Sequence, residues 1–144
     1  RCIINQTSTL NQIKLFKKLH KMLKPNGTLI IAEISKQGME RVNMIRKKYG
    51  LLPLNKRWHN LHIDEEKIFP KLKNNFRIVN VKRGGMFYFL SRVFYPATTF
   101  PKEPEPESKI NELALKSEIL MNESFSENSF DNFGGHLLMH LVKK

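Results

Sequence analysis

Leu10, Ile13, Phe16, Leu19 and Leu23 recur at helical spacing, with Lys14, Lys17, Lys18 and Lys21 between them. That pattern predicts an amphipathic helix with a wet lysine face. Thr9-Leu10-Asn11-Gln12 reads as its capping box, the Thr9 hydroxyl accepting from the Gln12 N–H while Gln12 reaches back. Pro25 and Asn26-Gly27 stop the helix and make a turn. Residues 28–34 are short, β-branched and apolar on both faces, which suits a buried parallel strand. Met39, Val42 and Ile45 predict a second helix over about residues 37–49, closed by Gly50. Residues 51–61 contain Pro53, show no period and read as a loop. Asp64-Glu65-Glu66 opens a third helix to about Leu72, its carboxylates suited to the positive helix end. Residues 76–82 read as a strand.

Past Gly84-Gly85, the aromatic-rich residues 86–96 fit either a strand or a helix. Residues 101–107, "PKEPEPE", form a stiff polar linker of polyproline character. A helix over about residues 108–121 follows. Next comes a loop over 122–135, with Phe125 and Phe130 as its anchors. A last strand runs over 136–142. The order is helix, strand, helix, loop, helix, strand, insertion, strand, and its helix–turn–strand unit marks an α/β protein. No internal repeat is visible.

At 144 residues the chain is of single-domain length, and its 40% hydrophobic content is ordinary for a globular protein. The single cysteine, Cys2, excludes an internal disulfide framework and a cysteine-based zinc site. It fits a reducing, cytoplasmic setting. No apolar run is long enough to span a membrane, so no membrane partner is expected, and no signal peptide is visible. The net charge is +12. The basic excess lies in residues 1–100, whereas residues 101–144 hold more acid than base. Such a surface suits a polyanion. The lysines nevertheless fall mostly on polar helix faces without interleaved aromatics, which favours a solvated surface over a nucleic-acid site. No turn or cap precedes the apolar run Cys2-Ile3-Ile4, and Arg1 is not Met, so the chain is expected to be a fragment.

The stretch from Leu23 to Glu33, "LKPNGTLIIAE", resembles the "L-x-P-G-G-x-L" turn before the fifth strand of class I S-adenosylmethionine-dependent methyltransferases. "RCIIN", at residues 1–5, resembles the "R-x-L-I-N" segment just after the fourth strand in one subgroup of that family. The "W-H-N" triplet at 58–60 and "FYFLSRVFYP" at 87–96 resemble the same subgroup. The resemblance implies a Rossmann-like three-layer α/β sandwich, truncated at its N-terminal side. Residues 1–144 would be the C-terminal part of one domain, with 83–135 an insertion or lid before the last strand. In the family, the last two strands form a hairpin that adds an antiparallel strand to a parallel sheet. The family's glycine-rich loop and its ribose-binding acidic residue are absent here, and would belong to a missing N-terminal half. Asn26 replaces the first glycine of the usual turn, a mild change because Asn tolerates a left-handed conformation.

The resemblance implies S-adenosylmethionine as cofactor, with Arg1, Cys2 and Asn5 beside it. It also implies methyl transfer to an acceptor, expected to be a small or sugar-containing molecule. Trp58-His59-Asn60 is the best candidate cluster. His59 has the pKa range of a general base, Asn60 could orient it and Trp58 could wall a pocket. The plainer alternative is a structural triplet pinning a loop. Arg92 could hold an anionic acceptor by a bidentate pair, with Tyr95 nearby, or be a surface arginine beside core aromatics. Glu33 ends its strand, where ligands of open α/β sheets sit, and either faces the acceptor or caps the next helix. His136 and His140 share a strand face, but no third ligand is evident and no metal is expected. The rival readings are a non-enzymatic basic module that binds nucleic acid, and an inactive remnant.

Overall fold

The computed structural model describes residues 2–124 and 133–144. Arg1 and the proposed anchors Phe125 and Phe130 lie outside them. The chain forms two compact units. The first comprises Arg1–Gln37, Asn55–Lys82 and His136–Lys144, the second Gly38–Leu54 and Arg83–Gly135. The protein is mixed α/β. Among the described residues no helix is long and apolar enough to cross a membrane.

The first unit is a three-stranded sheet with helices packed on one face. Helix α1, Thr9–Met22, is capped by the Ser8 hydroxyl, which accepts from the Asn11 N–H at 3.2 Å. The expected cap at Thr9 is therefore one residue out, and Gln12 is used elsewhere. The turn after α1 follows expectation. Asn26 is left-handed at φ 58°, and the Gly27 N–H closes on the Lys24 carbonyl at 2.9 Å. A Cβ at Gly27 would sit 2.8 Å from that oxygen, so only glycine fits.

Strand β1, Thr28–Ile34, has the predicted bounds, but its strand neighbour is antiparallel where a parallel strand was expected, and its two faces differ. Ile31 and Glu33 are buried, while Ile30 is 65% exposed. Helix α2 is Lys36–Lys48, closed by Gly50 at φ 70°. Helix α3 is Glu65–Leu72 and strand β2 is Phe76–Arg83. The last strand, β3 (His136–Lys143), lies between β1 and β2. It pairs antiparallel with β1, Thr28 opposite Val142 and Ile34 opposite His136. Its end also meets the start of both neighbours: the Lys143 N–H donates to Gly27 O at 2.9 Å and the Lys144 N–H to Asn75 O at 3.0 Å. Strands β1 and β2 therefore run in the same direction on either side of an antiparallel β3.

The core gathers Ile3, Ile4, Phe16, Ile31, Ile63, Ile68, Leu72, Phe76, Leu137, Met139 and Leu141. Each such side chain contributes about 1.5–3 kcal/mol on burial. The opposite sheet face carries Ile30, Ala32 and Leu138, the last 45% exposed, with Val79 of β2 at 44%. The strand read as buried on both sides is thus half wet, because helices cover only one face among the described residues.

The second unit resolves the aromatic stretch as helical. Helix α4 (Met86–Phe89), a π turn (Leu90–Phe94) and helix α5 (Tyr95–Thr99) follow one another without a break. Helix α6, Lys109–Ser124, packs on α4 and the π turn. The Glu118 carboxylate accepts from the Gly85 N–H at 3.3 Å and the Phe87 N–H at 2.9 Å, which satisfies the start of α4. A Cβ at Gly134 would fall 1.9 Å from Gly84 O, so these two backbones meet only because Gly134 lacks one.

Candidate functional site

Glu33 is the penultimate residue of β1, and strand alternation turns it inward beside Ile31. It is only 5% exposed. Its Oε1 accepts from the Cys2 N–H at 3.1 Å and the Ile3 N–H at 2.9 Å. Its Oε2 is buried with no partner among the described residues. Gln12 of α1, fully buried, completes the grip on this segment. Its Nε2 donates to Ile3 O at 3.2 Å and to Leu61 O at 2.7 Å, and its Oε1 is also buried without a partner. The Leu61 N–H donates to Ile4 O at 2.6 Å. Residues 2–4 are thus laced to β1, α1 and the segment before α3.

A second polar layer lies just past the end of β1. Ile63 bridges to Ser35, its N–H donating to Ile34 O at 2.8 Å and its carbonyl accepting from the Lys36 N–H at 2.9 Å. The Ser35 hydroxyl donates to Glu65. The Gln37 side chain donates to Asp64 at 3.0 Å and accepts from the Glu65 N–H at 3.0 Å. Lys36 and Lys67 each approach Asp64 at 3.6 Å. The Gln37 hydrogen bond, then the two lysines, hold the Asp64 carboxyl below its ordinary range against the opposing effect of burial. His62, half-buried, is shifted down by desolvation and by Lys56.

The sequence-predicted residues separate. Cys2, Asn5, Glu33, Trp58, His59 and Asn60 belong to the first unit, Arg92 and Tyr95 to the second. Glu33 and Cys2 are brought together directly. Cys2 is an exposed free thiol, and Asn5 is exposed. Trp58 is 94% exposed and meets only the edge of His59, ring centroids 5.2 Å apart at 82°. His59 is exposed, Asn60 is buried, and no hydrogen bond joins them among the described residues. The Asn60 backbone N–H instead closes a turn onto Arg57 O at 3.0 Å.

In the second unit, Tyr95 is buried and its hydroxyl accepts from the Glu105 N–H at 3.3 Å. Arg92 is exposed and lines a cavity of about 310 Å³ with Arg46, Ser91, Phe87 and Glu103. Arg46 is itself buried, donating from Nε to Leu52 O at 2.8 Å and from Nη1 to Arg92 O. Burial pulls its guanidinium below the ordinary pKa. Glu103 opposes that shift and Arg92 adds to it.

As site residues, Gln12, Gln37 and Arg46 escaped the sequence reading, which gave Gln12 a capping role alone. Gln12 was detectable, because it precedes Phe16, Leu19 and Leu23 by four, seven and eleven positions and so shares their stripe. Arg46 sits among Lys47 and Lys48 in a last helical turn, and carries no such signal. Chemically, the end of β1 offers two buried acceptor oxygens, Glu33 Oε2 and Gln12 Oε1, suited to a hydroxyl or amine donor. Comparison with known protein families and with curated proteins gave no match.

Proposed function

We propose that this chain is the C-terminal part of a class I S-adenosylmethionine-dependent methyltransferase domain, a Rossmann-like three-layer sandwich, acting on a small or sugar-containing acceptor. The observation that carries this reading is the sheet. An antiparallel last strand lies between two strands that run the same way, and the first of these follows a helix and a left-handed Asn26 turn. That is the hairpin arrangement the sequence resemblance implies. The bare face of Ile30, Leu138 and Val79, and the outer edge of β1, paired among the described residues only by the Ile63 bridge, are where an upstream half of the domain would pack.

The residues present fit a donor-rich ligand at the end of β1, where ligands of open α/β sheets sit. When bound, S-adenosylmethionine supplies an electrophilic methyl on a sulfonium. Glu33 and Gln12 hold the Cys2–Ile3 backbone in one conformation, and each keeps one oxygen for a ligand donor. Methyl transfer then depends on positioning more than on a base. His59, exposed and without a hydrogen-bond partner on Asn60, binds rather than abstracts a proton, and Arg92 and Tyr95 take no part.

The test is calorimetric titration of S-adenosylhomocysteine into the protein translated with its in-frame upstream segment. Micromolar binding is expected, weakened at least tenfold by Glu33→Ala. A stop codon directly before the Arg1 codon, or a longer product that binds no S-adenosylhomocysteine, overturns the reading.

A further inference from the structure

The far end of the first unit carries a feature that methyl transfer does not use. Helix α1 ends near the starts of β1 and β2. There Lys17, His20 and Lys21 of α1 face Lys71 of α3 and Asn74-Asn75 across a groove of about 510 Å³. The remaining lining is Leu10 and Ile13. No carboxylate lines it, and none of the three lysines is ion-paired among the described residues. Leu10 belongs to the apolar stripe of α1 yet is 60% exposed, and it lines this groove rather than the core. The His20 ring is fixed by edge-to-face packing on the buried Phe76, at 5.3 Å and 87°.

We infer that this groove binds a single-stranded nucleic acid. Three ammonium groups around one depression, with no carboxylate in its lining, favour a chain of backbone phosphates, and binding there would release counterions. The apolar floor of Leu10 and Ile13 beside a held imidazole offers an unstacked base a flat surface, which a paired duplex base cannot reach. The aromatic ring missing from the lysine pattern of the sequence is thus supplied by a histidine of the same helix. The start of β1 lies about five residues of extended chain, roughly 17 Å, from Glu33. Leu10 and Ile13 flank Gln12, but Lys17, His20, Lys21 and Lys71 take no part in the site around Glu33, and the groove stands whether or not the methyltransferase reading does.

The experiment is fluorescence anisotropy of a labelled short oligouridylate against the full chain, from about 50 to 200 mM salt. The groove variant is Lys17→Ala/Lys21→Ala/Lys71→Ala. The control, Lys47→Ala/Lys48→Ala/Lys102→Ala, removes the same charge from exposed positions of the second unit. All six lysines are exposed, and circular dichroism verifies that both variants fold. The groove variant should lose at least tenfold in affinity, with a salt slope lower by about 2, while the control loses less than about twofold. Leu10→Ser, which keeps every charge, should lose a further severalfold for the single strand. Equal losses in both lysine variants would reduce the effect to net charge and overturn the inference. So would a duplex that binds as tightly as the single strand, or full competition by millimolar inorganic phosphate.

Discussion

The two units hold together by different means. In the first, eleven buried apolar residues from three strands, two helices and two flanking segments form one cluster, and polar side chains work at its margin. In the second, much of the ordering comes from side chains that reach backbone groups. Asn43 exchanges two hydrogen bonds with Leu54, at 2.8 and 3.1 Å. Arg46 ties Leu52 and Arg92, and Glu118 holds the start of α4. Meanwhile α6 leaves Leu113, Leu115, Ile119 and Leu120 about half exposed. A cluster of apolar side chains tolerates adjustment, because its forces are non-directional. A lattice of side-chain-to-backbone bonds does not, because each lost partner leaves a buried group unsatisfied.

The largest expected effect falls on the first unit. Phe16 is 2% exposed at the centre of the cluster. Phe16→Ala should cost about 3–5 kcal/mol of stability. Amide hydrogen exchange should show that loss in β1 and β3, with Gly38–Leu54 and Arg83–Gly135 less affected. An equal loss of protection in both units would break the comparison, by showing a single cooperative structure.

The same division explains what the sequence disclosed. Helix α1, β1 and β3 were legible because their apolar periods are regular and their ends carry turn residues, Asn26-Gly27 above all. The faces of β1 were misread, since a run of Leu29, Ile30 and Ile31 has no alternation to show which side stays wet. Residues 86–96 fitted either a strand or a helix, since a run so rich in aromatic residues shows no single apolar face and a π turn shifts the helical phase midway. At the candidate site, Glu33 was legible from its place at a strand end. Its partners Cys2 and Ile3, and Gln12 on the far side of Ile3, were not read as one site, because contacts across 30 residues of chain leave no local signature. His59 and Asn60 looked like a pair by adjacency, yet neighbouring residues need not face each other.

Next in size is Arg46→Met, which keeps the volume and deletes the donors. It leaves the Leu52 and Arg92 carbonyls without their guanidinium partner, at a cost of about 2 kcal/mol. Thermal unfolding followed by near-ultraviolet circular dichroism of the tyrosines would detect it, Tyr88 and Tyr95 lying in that unit. Hydrogen exchange should now show the loss in α2 and the α4–α5 run. If Arg46→Met is as stable as the parent, side-chain-to-backbone bonds do not hold the second unit, and the contrast between the units is wrong.

The smallest effect sharpens the contrast within the first unit, at its polar margin. Asp64 is held below the ordinary carboxylate range by Gln37, Lys36 and Lys67. A folded pKa below the unfolded value of about 3.9 means that the unfolded chain binds the proton more readily. The stabilisation is therefore fully present above the unfolded pKa and is lost as pH falls through the folded one. Asp64→Asn should cost about 1 kcal/mol at pH 7, since both lysines are half exposed or more and solvent weakens their pull. Urea unfolding at pH 7, 5 and 2.5 should show the gap between the two proteins unchanged at the first two values and narrowed at the last. A gap that does not narrow at pH 2.5 would assign the effect to hydrogen-bond geometry around Gln37 rather than to charge. The margin of the first unit would then obey the same rule as the second, and only its apolar cluster would set it apart.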